Sequence, residues 1–310
     1  MSAPLFSQNI IALVWDFDKT LIPGYMQEPL FRHYGVDAAA FWAEVNELPA
    51  EYLRRGVELT VSEILYLNHI LDYTRRGIFA GLNNARLRAF GAELEFYPGL
   101  PEFFTELKQT VAAEERYAGY DITLEHYVVS TGLRQMILGS AIAGHLDGVW
   151  GCELLEDEHE GQRLVSQLGY VLDNTTKTRA VFEINKGVNK HPGAIDVNAQ
   201  MADSDRRVPF RNMIYVADGP SDVPVFSVLN RNGGVTYAVY RRGSAAQLKQ
   251  VNQLLRDRRV QAFGEADYTP GSQTSMWLSH AVTEVAERIV QERQRAMQEK
   301  VSKPPRHLNE

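Results

Sequence analysis

The chain has 310 residues, of which 45% are hydrophobic and 23% charged, enough for one large globular domain or two modest ones with a sizeable core. Its 32 lysines and arginines face 39 aspartates and glutamates, a formal charge of −7. That balance gives no support to a general nucleic-acid-binding role and sits poorly with a basic membrane-surface protein, though it excludes neither locally. A single cysteine, Cys152, excludes an intramolecular disulfide and reads as a small buried apolar residue. No Cys/His cluster stands at zinc spacing, the N-terminus lacks a basic flank before a long apolar run, and no apolar stretch approaches about 18 residues. The expectation is a cytoplasmic protein with no membrane partner.

Residues Ile10 to Trp15 form a nearly unbroken apolar run that stops at Asp16. A short run of this kind suits a strand buried on both faces of a parallel sheet. Between Tyr25 and about Glu95 the periodicity turns helical. Phe41, Trp42, Val45 and Leu48 mark one amphipathic helix. Thr60-Val61-Ser62-Glu63 reads as a capping box before another, with Ile64, Leu67 and Leu71 on one face and Gly77 at its C-terminal end. The reading is a helical cap domain over residues 25–95, inserted into a core made of 1–24 and 96–310.

Tyr97-Pro98-Gly99-Leu100-Pro101 punctuates the return to that core, and a helix follows from Glu102 to Val111. A second apolar run, His126 to Val129, ends at Ser130, with a helix expected from Leu133 to Ile142. Val149 to Leu172 reads as a strand-rich hairpin, and a helix is expected from about Thr175 to Asn185. Gly187 to Arg211 is polar and loop-like. Met213 to Ala217 is a third strand, ending at Asp218, and Val235 to Tyr240 a fourth. Trp277 to Lys300 is a long amphipathic helix that could pair with a second copy as a homodimer, and Pro304 to Glu310 reads as a frayed end. Strands alternating with helices give an α/β fold with a doubly wound, mainly parallel, Rossmann-like sheet.

In such sheets ligands bind beyond the carboxyl ends of the strands, and three of the four strands end there in Asp16, Ser130 or Asp218. Asp16 and Asp18 share one turn; two carboxylates about 4 Å apart repel by about 4 kcal/mol at an effective dielectric of about 20. They persist when a cation holds them or when one is protonated to act as an acid. Taken alone they could equally be solvated turn residues or a helix N-cap. Asp218 and Asp222 repeat the pattern on another strand, and an oxygen-only carboxylate set is what Mg²⁺ takes. Ser130-Thr131-Gly132 offers a hydroxyl and free amides at a helix start, a phosphate site or a simple N-cap. A dianionic phosphate among carboxylates calls for one more fixed cation, and Lys177, Lys186 and Lys190 are all candidates. Lys177 is preferred because it opens an amphipathic helix after the hairpin.

Asp16-Phe17-Asp18-Lys19-Thr20-Leu21, Ser130, a lysine and Asp218-Gly219-Pro220-Ser221-Asp222 resemble, in order, the four motifs of the haloacid dehalogenase-like superfamily. The helical insert after the first motif resembles its phosphoserine-phosphatase-like branch. The resemblance implies Asp16 as the nucleophile of an aspartyl-phosphate mechanism and Asp18 as general acid–base. It implies Ser130 and Lys177 as catalytic phosphate ligands, and Thr20, Thr131 and Gly132 as further phosphate-binding residues. The metal set would be Asp16, Asp18 through its backbone carbonyl, Asp218 and Asp222, with Mg²⁺ as cofactor. Members that displace halide lack the second aspartate, so Asp18 favours phosphate esters. The implied activity is a Mg²⁺-dependent phosphomonoesterase acting on a small phosphorylated metabolite.

A phosphotransferase using the same intermediate, or a non-catalytic metal- or phosphate-binding regulator, are the alternatives. The acidic residue expected soon after the first motif in phosphoserine phosphatases has no match. Tyr25, Glu28, Arg54, Arg55, Arg75 and Arg76 are the cap residues available to choose the ester.

Overall fold

The computed structural model describes residues 5–159 and 161–301. Its seven-stranded sheet runs β4-β3-β2-β1-β5-β6-β7, with β1 (Ile10–Trp15), β2 (Thr123–Leu133), β3 (Gly148–His159), β4 (Gln162–Tyr170), β5 (Met213–Ala217), β6 (Val235–Tyr240) and β7 (Ala262–Glu265). All neighbours are parallel except β3 and β4, which form an antiparallel hairpin. β1 lies at the centre between β2 and β5, and Ile11 to Trp15 are fully buried. That two-sided burial is why the run shows no polar alternation.

The helices α5 (Glu102–Ala112) and α10 (Gln273–Val301) pack together on one face of the sheet; α7 (Thr176–Lys186), α8 (Val223–Arg231) and α9 (Ala245–Arg256) lie on the other. The expected doubly wound α/β core is therefore present. The strands β1, β5 and β6 have the predicted limits. Residues 187–211 carry only two short 3-10 turns, at Asp203–Asp205 and Phe210–Asn212. The expected fraying of Pro304 to Glu310 lies outside the described residues. Among the described residues no helix is long and apolar enough to cross a membrane.

Several expectations are corrected. β2 continues through Ser130, Thr131 and Gly132 to Leu133, so these residues are extended strand rather than a helix start. The helix expected at 133–142 is only α6 (Arg134–Gly139), followed by a 3-10 turn at Ala143–His145. The capping box does not form: the N-cap is Val61, which has no side chain able to cap. The terminal helix begins four residues earlier than its apolar stripe suggested, at Gln273.

Between β1 and α5 stand four helices: α1 (Glu28–Tyr34), α2 (Ala38–Arg54), α3 (Ser62–Arg75) and α4 (Asn84–Gly91). Phe31, Phe41, Tyr73 and Phe79 form their shared aromatic core. This layer is tied to the rest at several places. α4 packs on α6 so closely that a Cβ on Gly91 would collide with the Met136 carbonyl, and one on Gly139 with the Arg88 carbonyl. The β3–β4 hairpin reaches up to it: Val165 N donates to Leu82 O at 3.0 Å, and Asn84 Nδ2 to Leu154 O at 2.9 Å.

Candidate active site

The central position of β1 brings three strand ends together. Asp16 N donates to Val216 O at 2.9 Å, extending the β1–β5 pairing one residue past Trp15. The chain then closes a tight turn, with Leu21 N donating to Phe17 O at 2.9 Å and Lys19 in the left-handed region at φ 58°. Holding a non-glycine residue there costs about 1 kcal/mol or more. The turn sets Asp16 and Asp18 at one end of the sheet.

Lys177 sits in the first turn of α7 and is 1% exposed. Its ammonium donates to Asp16 Oδ1 at 2.8 Å and to Asp222 Oδ1 at 2.7 Å. Asp222 also accepts from the Tyr215 hydroxyl at 2.6 Å and from Ser221 Oγ at 2.8 Å. Thr20 Oγ1 donates to the other oxygen of Asp16 at 3.3 Å. Each carboxylate thus has a fixed orientation. Lys186 and Lys190 are elsewhere: Lys186 donates to Val197 O and Ala199 O, and Lys190 to Asp147 O. Of the three lysines, Lys177 alone contacts Asp16.

Carboxylate oxygens of Asp16, Asp218 and Asp222 lie within 4.8 Å of one another. Burial raises the Asp16 pKa to about 6 against the pull of Lys177, and burial with the charges of Asp16 and Asp222 raises Asp218 to about 7. Burial first, then the charge of Asp16, holds Asp18 well above the usual carboxylate range, although Met26 N donates to its Oδ1 at 3.0 Å. Burial alone would pull the Lys177 pKa down; Asp16 and Asp222 overcome it and hold the lysine charged. One ammonium does not balance this cluster. The carboxylate of Asp218 has no hydrogen-bond partner among the described residues, and the donor set is all oxygen. Both properties fit a hard divalent cation such as Mg²⁺, held directly by Asp16 and Asp218. Both oxygens of Asp222 already accept hydrogen bonds, Oδ1 from Lys177 and Tyr215 and Oδ2 from Ser221.

Ser130 is buried, and its Oγ accepts from Gly132 N at 3.0 Å. The Met26 side chain lies over Gly132, and Leu133 N donates to Met26 Sδ at 3.0 Å. The Thr131 carbonyl is taken by the Tyr66 hydroxyl of α3 at 2.7 Å and lies 3.3 Å from Cys152 Sγ. Cys152 is buried, and that burial pushes its thiol up to about 11. Tyr66 was not among the cap residues singled out from the sequence, nor was Tyr215. The signals available were a tyrosine inside the apolar run of β5 and one on the core-facing side of α3. Arg54, Arg55, Arg75 and Arg76 instead line a groove between α2 and α3 with Glu44, Glu51 and Asp72. Tyr25 stacks near Trp42 and accepts from Lys19 Nζ at 2.6 Å, and Glu28 is exposed beside the linker into α1.

A family model described as haloacid dehalogenase-like hydrolase matches residues 13–227. An uncharacterized protein from Borreliella burgdorferi is 37% identical over 289 residues, covering 89% of this chain and 97% of its own. Among solved structures, a HAD family hydrolase from Salmonella enterica serovar Typhi is 14% identical over 84% of this chain and 68% of its own, with TM-score 0.48. A phosphoserine phosphatase carrying a phospho-aspartyl intermediate analogue is 17% identical over 82% of this chain and 93% of its own, with TM-score 0.45.

Proposed function

The chain belongs to the haloacid dehalogenase-like hydrolase family, and from that premise we propose that it is a Mg²⁺-dependent phosphomonoesterase working through an aspartyl-phosphate on Asp16. The observation that carries this reading is the buried Lys177, which orients Asp16 while the nearby Asp218 carboxylate has no hydrogen bond among the described residues. Asp16 attacks phosphorus, and the bond to the ester oxygen breaks. Asp18, whose pKa is raised by burial and by the charge of Asp16, donates a proton to the departing alcohol. As a carboxylate it then takes a proton from water, whose oxygen attacks phosphorus and releases inorganic phosphate and free Asp16. Lys177 and Ser130 hold the phosphoryl oxygens, and Thr20 keeps the Asp16 carboxylate turned toward them. A magnesium ion held by Asp16, the Asp18 carbonyl and Asp218 supplies charge neutralisation of the phosphoryl group when bound.

Helices α1 to α4 act as a cap over residues 25–95. Asp16 is 5% exposed and Ser130 1% exposed, so substrate enters when this layer lifts and reacts when it closes. On this reading the substrate is a small phosphorylated metabolite, in keeping with the burial of Asp16 and Ser130. Hydrolysis of an aryl phosphate that requires Mg²⁺ and is lost by a factor of about 10⁴ or more in Asp16→Asn supports the reading. Retained turnover in that variant overturns it. Phosphate transferred to an added alcohol, in place of free phosphate, would instead assign a phosphotransferase.

A further inference from the structure

Tyr215 stands in the middle of β5, between Ile214 and Val216, and its ring packs edge-on against Phe226 of α8 with centroids 5.7 Å apart. The apolar ring alone would fill that place in the core. The residue is 0% exposed, and its hydroxyl makes one hydrogen bond among the described residues, donating to Asp222 Oδ1 at 2.6 Å. A buried hydroxyl is costly unless it is bonded, so what offsets the burial of this one lies at Asp222.

Asp222 Oδ1 also accepts from Lys177 at 2.7 Å, and Lys177 donates onward to Asp16 Oδ1 at 2.8 Å. Tyr215, Asp222, Lys177 and Asp16 thus form one buried chain of hydrogen bonds, running from the middle of β5 to the end of β1. Two of the three ammonium protons go to the carboxylates. The third has no partner among the described residues and is the one left for a phosphoryl oxygen. Its direction is set by where the two carboxylates stand. Asp16 is held at its strand end by the bond from its amide to Val216 O, whereas Asp222 lies in a 3-10 turn, Pro220–Asp222, beyond β5. Ser221 Oγ holds the second oxygen of Asp222 at 2.8 Å, but from within the same turn. The Tyr215 hydroxyl is the bond that ties the Asp222 carboxylate to the sheet itself, and a strand holds a group more firmly than a turn does.

We propose, resting on the phosphomonoesterase reading, that Tyr215 is a positioning residue: through Asp222 it aims the Lys177 ammonium at the phosphoryl group. Its hydroxyl, committed to Asp222, contacts no reacting atom. Without that hydroxyl Asp222 swings within its turn, and the lysine follows it away from Asp16. Misplacing a catalytic group by about 1 Å can cost about a hundredfold in rate.

The test uses the full chain with Mg²⁺ and para-nitrophenyl phosphate. Tyr215→Phe keeps the ring and removes the hydroxyl. Its kcat should fall about ten- to a hundredfold, while KM and the Mg²⁺ concentration for half-maximal rate stay within about threefold. In a Lys177→Met background the same change should lower kcat by no more than about twofold, because the group it aims is gone; a merely structural role would repeat its loss there. Tyr237→Phe is the control: its buried hydroxyl, on the neighbouring strand β6, bonds Thr274 at 3.0 Å, and kcat should stay within about twofold of wild type. With the wild type active, a Tyr215→Phe kcat within about twofold of it overturns the assignment alone. So does a loss that falls on KM, is restored by saturating Mg²⁺, is matched by Tyr237→Phe, or is repeated in full without Lys177. A Tyr215→Phe chain that fails to fold where Tyr237→Phe folds makes the hydroxyl bond structural and also overturns it. A wild type inactive on the aryl ester refutes the phosphomonoesterase reading and this assignment with it.

Discussion

Replacing Lys177 with methionine keeps most of the side-chain volume and removes the charge. The lost contacts are two charge-assisted hydrogen bonds of 2.8 and 2.7 Å to Asp16 and Asp222, made by a side chain 1% exposed. Deleting one partner of a buried pair costs about 3–5 kcal/mol, because the carboxylates left behind stay buried without a counter-charge. Against a total of about 5–15 kcal/mol for a typical domain, that is a large fraction. The expected outcome is a loss of about 3–5 kcal/mol in urea unfolding near pH 8 without metal. Turnover of an aryl phosphate should drop by about 10²–10³.

The pH dependence separates this cause from poor packing. In the wild type the lysine pKa is raised, so its stabilising contribution is fully present below its unfolded value of about 10.4 and constant through the neutral range. In the variant, Asp16 loses the ammonium that lowers its pKa, and it already sits at about 6 with that lysine in place. Carboxyl groups with raised folded-state pKa destabilise most above that value, and the penalty fades as pH falls and the folded state takes up protons. The gap between wild type and variant should therefore narrow between about pH 8 and pH 5, and Mg²⁺ should also narrow it. A gap under about 1 kcal/mol, or one that is the same at both pH values, would refute the reasoning.

Metal binding should itself depend on pH. With Asp218 at about 7 and Asp16 at about 6, a cation displaces protons, so apparent Mg²⁺ affinity should weaken up to about tenfold per pH unit below 7; calorimetry in two buffers at pH 7.5 and 6 reads both the affinity and the proton release, and a flat profile contradicts it. Tyr66→Phe removes the 2.7 Å bond between α3 and the Thr131 carbonyl, worth about 1 kcal/mol, so amides of residues 62–75 should exchange about fivefold faster with solvent; unchanged exchange would show that this contact does not hold the helix layer down. Lys186→Met cuts two bonds to the carbonyls of Val197 and Ala199 and should cost about 1–3 kcal/mol of stability while aryl-phosphate kcat/KM stays within about twofold; a collapse of activity would move the catalytic lysine away from Lys177.

The parts of the molecule that were legible are those where local sequence and tertiary burial agree. β1, β5 and β6 are short parallel strands covered on both faces, so each reads as an apolar run with a polar stop. β7 was missed because Ala262-Phe263-Gly264-Glu265 is an edge strand only partly buried, with no such run. The strand-end aspartates were legible for the same reason as the strands, since each follows directly in the chain. Lys177 was harder, because its approach to Asp16 spans 161 residues of sequence. A local signal existed all the same. Lys177, Ala180, Val181 and Ile184 fall on one buried face of α7, and a lysine at a core position of an amphipathic helix requires a buried anion.

Glu63 shows where local signals stop. Thr60 three residues before Glu63 suggests a capping box, and the stripe Ile64, Leu67 and Leu71 suggests that the helix buries that side. The face that reaches the core also carries 63, 66 and 70, about a third of a turn away, and only docking decides between the two. That docking is set by features distant in sequence: the glycine contact of α4 with α6, and the hairpin bonds to Leu82 and Asn84. Bond-breaking chemistry can thus be written in the turns that follow strands, each specified by a few contiguous residues. On the proposed reading, choice of leaving group depends on how a second layer sits on those turns, so a substitution at α4 or α6 that tilts the layer should alter selection before it alters the carboxylate–lysine cluster.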